Sequence, residues 1–202
     1  MLILKERFII LRKMKYGEAD LIIHALSPVG EKKSFIARAA LKSKKRFGGG
    51  VLDPSHFVSF TYRQAKEDGG LNTLQEASLI NDFPGIRTTY EKLELALHII
   101  ECVTRVSQEG DIHSEFLFNL TGHALKAVEV CQDPQVLRMH FYLKLLWQQG
   151  VMTAEPWMGP FLKTNLSDTN LLLAQKPVVS QYLNQTENNV QNYIRSADLG
   201  QF

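Results

Sequence analysis

Nine consecutive residues, Lys42-Ser43-Lys44-Lys45-Arg46-Phe47-Gly48-Gly49-Gly50, set four cations beside three glycines, and the chemistry open to that combination is electrostatic rather than catalytic. Glycine lets a backbone come close to its ligand, and flexible cationic side chains displace the counterions condensed on a polyanion. The segment reads as a mobile loop that can follow a line of phosphates. Phe47 is the ring within it that could stack on a base, a contact that contributes about 1 to 3 kcal/mol. A basic run of four is also the ordinary composition of a solvated loop, so its company decides. Arg12, Lys13, Lys15, Lys32, Lys33 and Arg38 add charge from segments of strand character. The candidate contact set is therefore Arg12, Lys13, Lys15, Lys32, Lys33, Arg38, Lys42, Lys44, Lys45, Arg46 and Phe47.

Charge is partitioned along the chain in a way that supports this set. The first 63 residues hold thirteen Lys and Arg against five carboxylates, a net +8, whereas the remainder holds ten against sixteen, a net −6. An overall +2 conceals a basic front and a mildly acidic back. With 202 residues and 45% hydrophobic content, one or two packed domains are expected. No apolar run approaches the ~20 residues of a bilayer span, and the N-terminus lacks the pattern of a secretion signal. A cytosolic setting with reduced, buried Cys102 and Cys131 is expected.

Catalytic readings are poor. His98 and Cys102 stand four apart and could ligate a metal, but apolar neighbours make core packing the simpler account. Gly48-Gly49-Gly50 lacks the Lys-Ser/Thr and helix start of a phosphate cradle, and no Ser, His and Asp occur in a recognisable catalytic context. Glu18 and Asp20 read as turn residues that pair with nearby cations.

Two periodicities divide the sequence. Up to about Ile80, short strands are predicted at Phe8 to Met14, Leu21 to Leu26, Lys33 to Ala40, His56 to Arg63 and Thr73 to Ile80, with a hairpin signal at Asp68-Gly69-Gly70. Val58, Phe60 and Tyr62 alternate and should fill the interior. Five short strands in about 80 residues suggest a small barrel of the OB type. Beyond Pro84 the period becomes about 3.6. A capping box Thr88-x-x-Glu91 opens a first helix with the stripe Leu93, Leu97, Ile100 and Val103, and a second starts near Ser114. A third is bounded by Asp133, Pro134 and Gly150, and a last spans Val178 to Arg195. The fold class is α+β, with an N-terminal five-stranded barrel at 1–80 and an all-α domain at 81–202.

These residues, in order and spacing, resemble the RecO family of recombination mediator proteins. The carriers are Tyr16-Gly17-Glu18-Ala19-Asp20-Leu21, Pro28-Val29-Gly30-Glu31-Lys32, the run from Ala37 to Gly49, Leu52-Asp53-Pro54, Phe57 to Tyr62, and Phe83-Pro84-Gly85-Ile86-Arg87. The resemblance implies an OB domain on a helical domain without a catalytic centre or cofactor. It also implies binding of single- and double-stranded DNA, annealing of complementary strands, and help with RecR for RecA loading onto DNA covered by single-strand-binding protein, whose C-terminal tail is docked. Many relatives carry paired Cys-x-x-Cys motifs as a zinc site. Here no cysteine follows Leu146, so no zinc is expected. Two other readings use the same basic face: a cold-shock-like RNA-binding module, and a non-enzymatic adaptor for an acidic protein tail.

Overall fold

A computed structural model describes residues 2–65, 70–111 and 114–199. The chain forms two compact units, one of Met1–Phe83 with Ser107–Phe118, the other of Pro84–Val106 with Asn119–Phe202. A five-stranded sheet followed by helices makes the protein α+β, as the periodicities predict.

In the first unit, strands β1 (Ile3–Tyr16), β2 (Asp20–Leu26), β3 (Lys32–Ala37), β4 (Phe57–Arg63) and β5 (Asn72–Asn81) close into a barrel in the order β1-β2-β3-β5-β4. Closure depends on β1, which is longer than the sequence suggested. Its first half pairs antiparallel with β4, from Ile3↔Arg63 to Ile9↔Phe57, and its second half with β2, from Ile9↔Leu26 to Tyr16↔Asp20. The ring is completed by the parallel pair β3–β5 and the antiparallel pair β4–β5. Val58, Phe60 and Tyr62 do face inward, where Phe8, Phe35, Phe60 and Tyr62 pack with centroids 5.1 to 6.0 Å apart. β3 ends at Ala37, short of the expected Ala40, because Ala39 takes a left-handed φ of 53° and its amide donates to Asp20 Oδ1 at 2.7 Å. Gly30, at φ +88°, is required where it stands: a Cβ there would lie 2.1 Å from the Ser114 carbonyl oxygen. Most of the Asp68-Gly69-Gly70 turn lies outside the described residues.

The second unit holds α1 (Tyr90–Val106), most of α2 (Glu115–Val130), α3 (Pro134–Gln148), the short α4 (Gly159–Lys163) and α5 (Lys176–Leu199). α3 has the ends its sequence announces. Asp133 accepts from the amides of Gln135 and Val136, Pro134 opens the first turn, and Gly150 at φ +69° lies just beyond. α1 departs from expectation by one residue. Thr88 donates its hydroxyl to the Gly85 carbonyl, and Thr89 Oγ1 accepts from the Lys92 amide instead. The predicted stripe shifts with it: Leu95, Ile99, Cys102 and Val106 join Ile100 and Val103 in the core, while Leu93 and Leu97 are exposed. The proline-broken tail is packed, with Met158, Phe161, Leu172 and Val179 against Val136, Met139 and Leu143 of α3. Among the described residues no helix is long and apolar enough to cross a membrane.

Candidate nucleic-acid interface

The basic segment between β3 and β4 is a folded cap on the barrel mouth, which corrects the expectation of a mobile loop. Ala40, Phe47, Val51 and Leu52 are buried in the same cluster as Phe8, Leu21 and Phe60. Backbone bonds tie the cap down, Leu41 N–H to Ala19 O at 3.0 Å and Ala77 N–H to Arg46 O at 3.3 Å. A short 3-10 turn covers Ala40–Lys42. Gly48 cannot be replaced without rearrangement, since a Cβ would meet the Lys44 carbonyl oxygen at 2.2 Å. The glycines thus serve a tight chain path as much as ligand approach.

Phe47 is accordingly not an exposed stacking ring. It is 6% exposed, and the Arg46 guanidinium lies over it at 5.0 Å from the ring centroid. A segment rich in charge still needed apolar anchors to close the barrel end, and Phe47 is one of them. It leaves the contact set. Arg46 is also committed in part, donating from Nη2 to the Arg38 carbonyl at 3.0 Å.

The other cations divide by partner and by face. Lys13 is paired with Asp53, and Lys33 with Glu6 at 3.4 Å and Glu31 at 3.5 Å. Arg12, Lys15, Arg38, Lys42, Lys44 and Lys45 are exposed and have no carboxylate partner among the described residues. Lys32 is half-buried and, with Arg12, acts on His24. Burial foremost, then Lys32, holds the His24 imidazole below its usual range, against an opposing pull from Glu109. His24 Nδ1 lies 2.9 Å from Ser34 Oγ, which donates to Glu109 Oε1 at 2.5 Å, so Nδ1–H is the donor to Ser34. That chain fixes the loop at 107–111 to β3, together with the Lys32 amide bonded to the Gln108 carbonyl. It gives no nucleophile, because the serine proton points at the carboxylate and not at the histidine.

A bulge decides the faces. The β1–β2 register slips between Ile10 and Arg12, so Leu11 is the extra residue. Residues directly opposite across a ladder share a face. Before the bulge Ile10 faces inward opposite Ala25; after it Lys13 and Lys15 fall opposite the core residues Ile23 and Leu21, and Arg12, Met14 and Tyr16 fall opposite His24, Ile22 and Asp20 on the outer face. Lys13 and Lys15 thereby reach the barrel mouth. There an open groove of about 780 Å³ is lined by Lys13, Lys42, Lys44, Gly48, Gly49 and Asp53, among others. Tyr16 is 55% exposed on that outer face. Alternation alone would have counted it with the wrong face.

Asp20 accepts from the Ala39 amide and pairs with no cation among the described residues, in place of the expected ion pair. In the helical unit His98 Nε2 contacts the Tyr142 hydroxyl at 2.6 Å and the Cys102 sulfur at 3.5 Å. Burial pushes the Cys102 thiol up to about 12. Among the described residues no three His, Cys, Asp or Glu side chains gather as metal ligands.

Residues 1–83 match the family described as "Recombination protein O N terminal". A DNA repair protein RecO of Desulfatibacillum aliphaticivorans is 34% identical over 144 residues, 71% of this chain and 55% of that protein. One of Maridesulfovibrio salexigens is 30% identical over 147 residues, 73% of this chain and 58% of its own length. One of Listeria monocytogenes is 26% identical over 140 residues, 68% and 52% respectively. The chain spans a little over half the length of these relatives, and each likeness runs past the 83 residues of the barrel segment into the helices. By that barrel segment and its continuation, the chain belongs to the RecO family.

Proposed function

We propose that this chain is a non-enzymatic DNA repair and recombination protein whose barrel, of the OB type, holds DNA by its phosphates. The observation that carries the reading is the set of exposed cations at the barrel mouth and its cap, Lys15, Lys42, Lys44 and Lys45, none with a carboxylate partner among the described residues. Uncompensated charge on a self-repelling surface costs stability, and a polyanion relieves that cost by releasing its own counterions. The strand order with its parallel β3–β5 closure supports the OB assignment. The names of the relatives support the repair role. In this reading the protein binds single- and double-stranded DNA with little base preference, since lysines on phosphates carry no sequence information. Neutralising two backbones at one mouth also favours annealing. RecR, RecA loading and the acidic tail of single-strand-binding protein are the partners and task that follow from family membership, at the nucleoid in the cytoplasm.

The test is a salt titration of binding to a fluorescein-labelled oligo-dT, read by anisotropy. Each phosphate neutralised on a single strand contributes about −0.7 to the slope of log affinity against log salt. Lys42→Ala, Lys44→Ala and Lys45→Ala together should flatten the slope by about 2 and weaken binding on every sequence alike. Lys126→Ala, Lys163→Ala and Arg195→Ala, an equal charge change on exposed helical positions, should leave it intact. These make a better control than Lys92 and Lys144, whose ammonium groups donate to the carbonyls of Glu129 and Leu162. A wild-type slope near zero would refute the reading.

A further inference from the structure

The outer face of β1–β2–β3 has a composition that phosphate binding at the mouth does not use. Beyond the Leu11 bulge its cross-strand rows are Arg12–His24–Ser34, then Met14–Ile22–Ile36, then Tyr16–Asp20 at the hairpin. Met14, Ile22 and Ile36 are half-buried, an apolar floor three strands wide beside the exposed Tyr16 ring. Tyr16 makes no hydrogen bond or ring contact among the described residues, and the strand–turn junction before Gly17 does not need an aromatic side chain to form. Arg12 lies four strand residues from Tyr16, about 13 Å along β1, and Arg38 follows β3 immediately after the Leu21↔Ala37 pair. Both guanidinium groups are exposed without a carboxylate partner among the described residues.

We propose that Tyr16 is a base-stacking residue for single-stranded DNA on this outer face, an inference that rests on the DNA-binding reading above. The ring takes the face of a nucleobase, the Met14–Ile22–Ile36 floor takes the neighbouring base or sugar, and Arg12 and Arg38 neutralise the phosphates to either side. The occupant is single-stranded because a base inside a duplex already has both faces covered. Carboxylates alone would satisfy the two arginines but would leave the ring and the apolar floor uncovered, whereas a nucleotide supplies both a flat face and a phosphate. The parity flip at Leu11 separates this platform from the mouth, so one barrel presents a sequence-blind cationic rim and a second face that senses whether bases are free.

The experiment compares two labelled oligomers of equal length, oligo-dT and an abasic phosphodeoxyribose chain, on wild type, Tyr16→Ala, Tyr16→Trp and the triple lysine variant. Tyr16→Ala should lose about five- to 150-fold on oligo-dT and less than twofold on the abasic chain, with an unchanged salt slope, while Tyr16→Trp retains binding. The triple lysine variant should lose equally on both oligomers. Tyr16→Ala binding oligo-dT as wild type does, or losing equally on both oligomers, would overturn the stacking proposal and leave the phosphate reading standing. Wild type failing to bind either oligomer would overturn both. Circular dichroism identical to wild type shows that the variants are folded, which the exposure of Tyr16 predicts.

Discussion

Phe47→Ala separates a barrel plug from a DNA-contacting ring, because the two roles predict opposite readouts. The ring is 6% exposed and packed with Ala40, Val51 and Leu52 at the mouth. Truncating a buried phenylalanine costs about 3 to 5 kcal/mol, and the Arg46 guanidinium over the ring adds roughly 0.5 to 1 kcal/mol that is lost with it. The site lies at the barrel end, where the cap can relax, so the lower part of that range, about 3 kcal/mol, is expected. Against a typical 5 to 15 kcal/mol for a folded domain this is a large fraction. Urea unfolding followed by far-UV circular dichroism should show the midpoint falling. Amide exchange in β2 and β3 should localise the loss, which fluorescence would miss because Trp147 and Trp157 both belong to the helical unit. Phe47→Leu should fall between the two, and the DNA affinity of the folded protein should change less than twofold for either variant. An unmoved midpoint with a tenfold loss of affinity would refute the burial argument and return Phe47 to the contact set.

Three further outcomes follow from groups in the helical unit. His140 is buried, with Nε2–H donating to the Thr164 carbonyl at 3.1 Å and Nδ1 facing Thr169 Oγ1 at 3.3 Å. Burial foremost, with Lys144 in the same sense and the Thr164 bond opposing, lowers its pKa from 6.5 to about 4. The unfolded chain takes up that proton first as pH falls, so stability is fully present above pH 6.5 and declines toward pH 4, by about 3 kcal/mol in all; His140→Gln should remove that part of the pH slope in urea titrations. Cys102 and Cys131, both buried, should react with a thiol reagent only on unfolding, and elemental analysis should find no stoichiometric zinc. One zinc per chain, with a chelator-sensitive transition, would overturn the latter.

What the sequence made legible follows from which features are local. The α3 ends were readable because Asp133, Pro134 and Gly150 each act within one turn of themselves. The inward row Val58, Phe60 and Tyr62 was readable because the irregularities of the β4–β5 ladder put their extra residues, Gln75 and Ile80, in β5, while β4 keeps an unbroken register with β1. α1 was misread by one position because Thr88 and Thr89 are chemically equal as caps, and only the Gly85 carbonyl, which takes the Thr88 hydroxyl, breaks the tie. The packed tail was unreadable for the opposite reason: Met158, Phe161 and Leu172 are buried by α3, residues distant in sequence, in a stretch whose prolines prevent any periodicity from showing.

The candidate interface shows the same limit more sharply. Net charge is additive, so the basic front could be counted, but its division between two faces depends on a single unpaired residue. Leu11 is apolar and ends the apolar run that starts at Phe8; nothing in its type distinguishes a bulge from a continued strand, and it is buried at 3% as a paired residue would be. Yet without it Arg12, Met14 and Tyr16 would point into the barrel, where Arg12 could not be solvated, and Lys13 and Lys15 would leave the mouth. The pattern itself therefore demands the slip: Phe8 and Ile10 must be inside and Arg12 outside, two same-parity requirements that one uninterrupted strand cannot meet. Deleting Leu11 should for that reason unfold the barrel rather than shorten it, since either the core residues or the arginine must take the wrong face. A folded deletion variant, with native amide protection in β2, would show that the faces are set by something other than this bulge.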